Sequence, residues 1–187
     1  MGLRNILQGT DPTLRKQSRI VKDFNSRLHK LLDDMRETMK SANGLGLAAP
    51  QVGVLRRAVL VVDTSRAQNE GDDECEECII ELVNPKIIVG EGEQDGSEGC
   101  LSLPGVYGMV KRPMNVMVRA QDRYGEPIEI WGRGLTARAL CHEINHLDGI
   151  LFADLATRFL TEEELEEMAT KEFEDSLEED DEDAAEE

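Results

Sequence analysis

The chain is short of histidine, aromatic residues and cysteine: three His, one Trp, two Tyr, four Phe and four Cys are spread over 187 residues. No run of 18 or more apolar residues occurs, so the sequence encodes no membrane-spanning helix and no membrane partner is expected. The segment MGLRNILQGTDPTLRKQ lacks the apolar core of a secretory signal. Ile6 stands where a myristoylation site needs Ser or Thr. A cytoplasmic protein is expected. Four unevenly spaced cysteines are too few for a disulfide-stapled scaffold and turn attention to thiol and metal chemistry in a reducing compartment.

Basic residues are also scarce, 21 Lys and Arg against 39 Asp and Glu, for a net charge of −18. Residues 174–187 hold ten acids and no base, which leaves −8 for the rest. One folded domain over residues 1–173, followed by a solvated, disordered acidic tail at 174–187, is the expected layout. Such a surface repels phosphate backbones, so DNA is not an expected partner.

Leu28, Leu31, Leu32, Met35 and Met39 recur at helical spacing between Asn25 and Lys40, which predicts an N-terminal amphipathic helix ended by Asn43-Gly44. His29 on that helix reads as a surface histidine. AVLVVD (58–63) and IIELVNPKIIVG (79–90) read as strands, the second broken at Asn84-Pro85. NVMVRAQD and EPIEIWG read as a hairpin around Arg123-Tyr124-Gly125. The acidic stretch between the first two strands reads as a loop. A helical pattern spans Leu135 to Leu147, and a C-terminal helix starts at Thr161 with Glu164 at capping-box spacing. The fold class expected is α+β, with mostly antiparallel sheets packed around a central helix.

That central helix carries HEINH, so two of the three histidines lie four residues apart. Residues i and i+4 share a helix face, roughly 5 to 6 Å apart at Cβ, so His142 and His146 can converge on one ion. Glu143 lies about 100° around the axis, off the ligand direction and suited to a general base. A catalytic site of this kind takes three protein ligands and leaves one position for water. Downstream the third donor is Asp148 or Asp154; upstream it is Cys100, in the tight segment EGCLSLPG. GLGLAAPQVG, from Gly44 to Gly53, is a segment whose small residues let backbone approach a ligand.

GLGLAAPQ, EGCLS and HEINH, in this order, resemble the three signature motifs of peptide deformylases, and DPTLR (11–15) resembles that family's N-terminal segment. The resemblance covers roughly residues 1–158. It implies a hydrolase that removes the formyl group from N-terminal formyl-methionine of newly made polypeptides and releases formate. It also implies that Cys100, His142 and His146 hold one divalent metal, with water in the fourth position. Glu143 would be the base and then the acid; Gln51 and the backbone N–H of Leu101 would hold the oxyanion. Gly46 would pair with the substrate backbone, and Leu45, Leu135 and Ala139 would line the methionine pocket. Fe(II) is the metal implied, with Zn, Ni or Co as substitutes. The implied partners are N-formyl-methionyl nascent peptides and the ribosome, although the acidic C-terminus opposes RNA docking at that end.

The chain departs from the family pattern at three positions. Asn145 replaces the usual aspartate, Cys141 the usual glutamine, and Tyr107 lies where some members carry a substrate-binding arginine. Cys75-x-x-Cys78 offers a second metal or redox pair, in an acidic loop that would raise the thiol pKa. Two other readings stay open: an endopeptidase with a carboxylate third ligand, and a metal-stabilised protein that binds formyl peptides without hydrolysing them.

Overall fold

The computed structural model describes residues 2–65, 78–168 and 170–171. The stretch 66–77, with Cys75, and the acidic tail expected at 174–187 lie outside them. Cys78 is disulfide-bonded and buried, so it offers no free thiol to a metal.

The protein is mixed α+β with antiparallel sheets. A five-stranded sheet has the order β1 (Gly46–Ala48), β2 (Ala58–Val62), β3 (Ile79–Glu91), β6 (Asn115–Gln121), β7 (Pro127–Arg133). A three-stranded sheet joins β4 (Gln94–Cys100), β5 (Leu103–Arg112) and β8 (Arg158–Phe159). Two long helices, α1 (Ser26–Ser41) and α2 (Gly134–Leu147), cover opposite faces of the larger sheet.

Strand alternation explains this sandwich. Ala58 and Leu60 of β2 pack with Leu28, Leu31, Leu32, Met35 and Met39 of α1. Val59 and Val61 point the other way, to Val116 and Val118 of β6 and to Ala137, Leu140, Ile144 and Leu147 of α2. Covered on both sides, β2 is a continuous apolar run. Gly134, at φ 54°, turns the chain from β7 directly into α2, a conformation open to glycine.

Asn84-Pro85 does not end a strand. β3 runs through it with a register shift between Val83 and Lys86. Asn84 takes φ 53°, which Asn tolerates. Its side chain accepts from the Val21 N–H (2.8 Å) and donates to the Val21 carbonyl (2.9 Å) and Gln121 (2.8 Å). Those bonds tie the bulge to the segment before α1 and to β6. Residues 162–168 are helical; the Thr161 N–H donates to the Glu164 carboxylate (2.9 Å) and the Glu164 N–H to the Thr161 hydroxyl (3.2 Å). His29 is half-buried and bonded to the Arg123 carbonyl at 2.8 Å rather than lying free on the surface. No helix among the described residues is long and apolar enough to cross a membrane.

Candidate active site

Arg138, His142 and His146 follow one another at four-residue spacing along α2, so one helix face carries all three. Glu98 and Cys100 are two apart on β4 and share a strand face. The small sheet brings that face against the helix. Ligand atoms of Cys100, His142 and His146 consequently lie within 4.8 Å of one another, and Cys100 Sγ is 3.2 Å from His146 Nε2. No Asp or Glu belongs to this group. Asp148 is engaged by Arg57 at 2.6 Å and Asp154 by Arg15.

Each donor is backed differently. His142 Nδ1 bonds Glu98 Oε2 at 2.9 Å, which leaves Nε2 for the cluster. Glu98 also accepts from Arg112 Nε (2.8 Å), Arg112 Nη2 (2.9 Å) and Arg138 Nη1 (3.0 Å). Arg112 Nη1 reaches Asn145 Oδ1 at 2.6 Å, so the acceptor oxygen an asparagine retains is in use. His146 Nδ1 and Glu143 Oε2 are buried without a hydrogen-bond partner. The Phe152 ring stacks on His142, centroids 5.9 Å apart.

Gln51 sits on a short 3-10 turn, Ala49–Val52. Its Oε1 accepts from the Ala48 N–H at 2.8 Å, which only the oxygen end of the amide can do. Nε2 therefore faces inward, 3.3 Å from Ser102 Oγ and 3.5 Å from Cys100 Sγ.

Burial, opposed by the charge of His142, raises the Glu143 pKa to about 7. Burial also works against charge on Glu98, yet hydrogen bonds from Arg112 and His142 outweigh it and hold the carboxyl at about 2. On His142 burial is outweighed by Cys100 and Glu98, and the pKa rises to about 10. Burial and the neighbouring His142 drive His146 well below its ordinary value.

A cavity of about 510 Å³ opens onto the group. Leu45, Gly46, Gln51, Cys100, Leu101, Leu135, Ala139, His142 and Glu143 line it, with His146 behind them. Leu45 and Leu135 are exposed at its mouth. Tyr107 stands on the rim beside Gly99, where a side chain would collide with the phenol ring. Cys141 faces away, into the apolar cluster under α2, and burial raises its thiol pKa.

A Cβ on Gly46 would lie 2.5 Å from Glu143 Oε1. Only glycine leaves that carboxylate its seat. β1 is an edge strand, paired with β2 through Gly46↔Val61 and with no strand on its other side among the described residues. Sequence reasoning missed Glu98, Arg112, Arg138 and Ser102. Two of them carried a signal: Arg138 is four residues before His142, and Glu98 two before Cys100.

Residues 3–161 match the family model described as "Polypeptide deformylase". The chain belongs to the polypeptide deformylase family. It is 52% identical to a peptide deformylase of Caldicellulosiruptor bescii over 91% of this chain and 96% of that one. It is 53% identical to one of Acetivibrio thermocellus over 89% and 91% of the two chains. A crystal structure of a peptide deformylase from Legionella pneumophila superposes with a TM-score of 0.74 at 40% identity, covering 95% of this chain and 96% of that one. Peptide deformylases are metal-dependent hydrolases that act on formylated nascent peptides and remove the formyl group from N-terminal formyl-methionine.

The donor set fits the metal such an enzyme needs. One thiol and two imidazoles converge, one imidazole is oriented by a carboxylate, and the unpartnered polar atoms of the site belong to Glu143 and to the other imidazole.

Proposed function

We propose that Cys100, His142 and His146 hold one divalent metal and that the residues around them remove the formyl group in the following way. The peptide lies along the open edge of β1, paired through Gly46. Its methionine side chain enters the cavity between Leu45, Leu135 and Ala139. The metal, when bound, supplies one chemical service: it lowers the pKa of water from 15.7 toward about 7. Glu143 takes a proton from the attacking water. The oxygen joins the formyl carbon, and Gln51 Nε2 with the Leu101 N–H takes up the charge that forms on the carbonyl oxygen. As the C–N bond breaks, Glu143 returns its proton to the leaving amine, giving formate and a free N-terminus. A carboxyl with a pKa raised to about 7 suits both halves of this exchange.

The observation that supports this most is the convergence of the three ligand atoms beside a buried carboxylate with an unpartnered oxygen. The endopeptidase reading loses its third ligand, because Arg57 and Arg15 engage the two candidate aspartates. Ferrous iron is the proposed metal and the cytoplasm the proposed compartment. Zinc, nickel and cobalt suit the same ligands and enter by affinity and availability.

The test is formate release from formyl-Met-Ala-Ser by protein purified without oxygen and loaded with ferrous iron. Turnover is expected, and Gln51→Ala is expected to lose about a hundredfold. No formate from protein shown to hold the metal would overturn the hydrolytic reading in favour of peptide binding alone. A loss below about threefold for Gln51→Ala would remove Gln51 from the oxyanion site.

A further inference from the structure

The net charge of −18 conceals an uneven distribution. Residues 1–57 contain eleven Lys or Arg against five Asp or Glu, leaving ten basic and 34 acidic residues in the other 130. The excess of cations gathers at a second groove of about 760 Å³, between the first turns of α1, the segment leading into it, and Val54 to Arg56. Hydrogen bonds from Arg19 N–H to the Leu55 carbonyl (3.2 Å) and from Arg57 N–H to the Arg19 carbonyl (2.9 Å) fix its two walls.

Arg19, Lys22, Arg27 and Arg56 are exposed on its rim, and none has an acidic side-chain partner among the described residues. Several cations elsewhere in this protein are paired: Arg4 with Asp34, Arg57 with Asp148, Arg112 and Arg138 with Glu98, Arg123 with Glu81. Asp23 is the one acid in the lining. The floor is apolar, formed by Leu28, Leu31 and Val54.

We propose that this groove is the docking site of the chain's own acidic C-terminal segment, residues 172–187. That segment sets eleven acids around the large apolar residues Phe173 and Leu177. Its pattern complements a cationic rim over an apolar floor. Sixteen residues extend up to about 55 Å, whereas a domain of this length has a radius of gyration of about 16 Å, so the groove is within reach of Lys171. Tethering holds the acids near the groove at an effective concentration on the order of millimolar, which an untethered polyanion has to match. Docking is electrostatic at its rim, so salt weakens it.

The test uses amide resonances of Ile20, Lys22 and Val54 in the isotope-labelled full chain. They are compared with a variant carrying Glu178→Gln, Glu179→Gln, Asp180→Asn, Asp181→Asn, Glu182→Gln and Asp183→Asn. The expected result is a shift of these resonances between the two proteins at low salt, reduced at least twofold at about 1 M salt, where the Debye length falls to ~3 Å. The shift is expected to vanish when both proteins also carry Arg19→Glu and Arg56→Glu. If that background fails to fold, Lys22→Gln with Arg27→Gln should still reduce it. Formate release, independent of every substituted residue, reports an intact fold in each case. Unmoved groove resonances would overturn the proposal, as would a shift indifferent to the groove substitutions. A shift that grows with protein concentration would assign the groove to a second copy instead. Equal binding of a single-stranded oligoribonucleotide by the native and amide-substituted chains would assign it to nucleic acid.

Discussion

The two sides of α2 do different work with different chemistry. One side puts Ala137, Leu140, Cys141, Ile144 and Leu147 into the apolar cluster against β2 and β6. The other puts Arg138, His142, Glu143 and His146 against the small sheet and the cavity, where all four are buried. On the first side burial itself stabilises, at about 25 cal/mol per Å² of apolar surface. On the second, burial costs free energy, which ion pairs and hydrogen bonds offset except at Glu143 Oε2 and His146 Nδ1. The helix is thus anchored by its apolar side and holds the candidate site on its polar side.

Substitutions on the two sides should therefore separate stability from activity. The largest effect expected is that of Glu143→Ala, with turnover falling about 10²- to 10⁴-fold while metal analysis still finds one ion per chain. Loss of the metal would make Glu143 structural. Leu140→Ala, on the opposite side, should cost about 2 to 5 kcal/mol in chemical denaturation and leave kcat per folded molecule unchanged. A parallel loss of kcat would mean that the two sides are coupled. Glu98→Gln should weaken metal binding about 10- to 100-fold in chelator competition, with turnover largely restored at saturating metal.

The smallest effect lies away from α2. Glu81 is bound by Arg123 at 2.7 and 2.8 Å and by Arg36 at 2.9 Å. Burial raises its pKa, the two guanidiniums more than reverse that, and the net shift is downward. A depressed folded-state pKa stabilises above the unfolded value of about 4.3, and the contribution is lost as pH falls through the folded value. Glu81→Gln should then destabilise by on the order of 1 kcal/mol at neutral pH. The gap to the native chain should close below about pH 4 in denaturation series.

The polar side of α2 was legible where spacing alone decides geometry. His142 and His146 are four apart, and the structure brings both to Cys100. The small sheet was not legible. Gln94–Cys100 and Leu103–Arg112 hold charged and glycine residues where a buried strand would be apolar, because their faces serve a polar network and a cavity. Arg112 and Arg138 went unremarked: spacing puts Arg138 on the face of His142, but nothing local reveals that Glu98 receives both guanidiniums. Asn84-Pro85 misled for the opposite reason. A local break signal was overridden by tertiary bonds to Val21 and Gln121.

The account rests on a thiolate from one strand and two imidazoles from one helix meeting at a single ion. Cobalt(II) titration of the protein under anaerobic conditions tests this most directly, because a cobalt-bound thiolate shows a charge-transfer absorption that imidazole and carboxylate ligands lack. The account predicts that the band saturates at one equivalent and is abolished by Cys100→Ser. Tight cobalt binding without that band, or a band that survives Cys100→Ser, would contradict it.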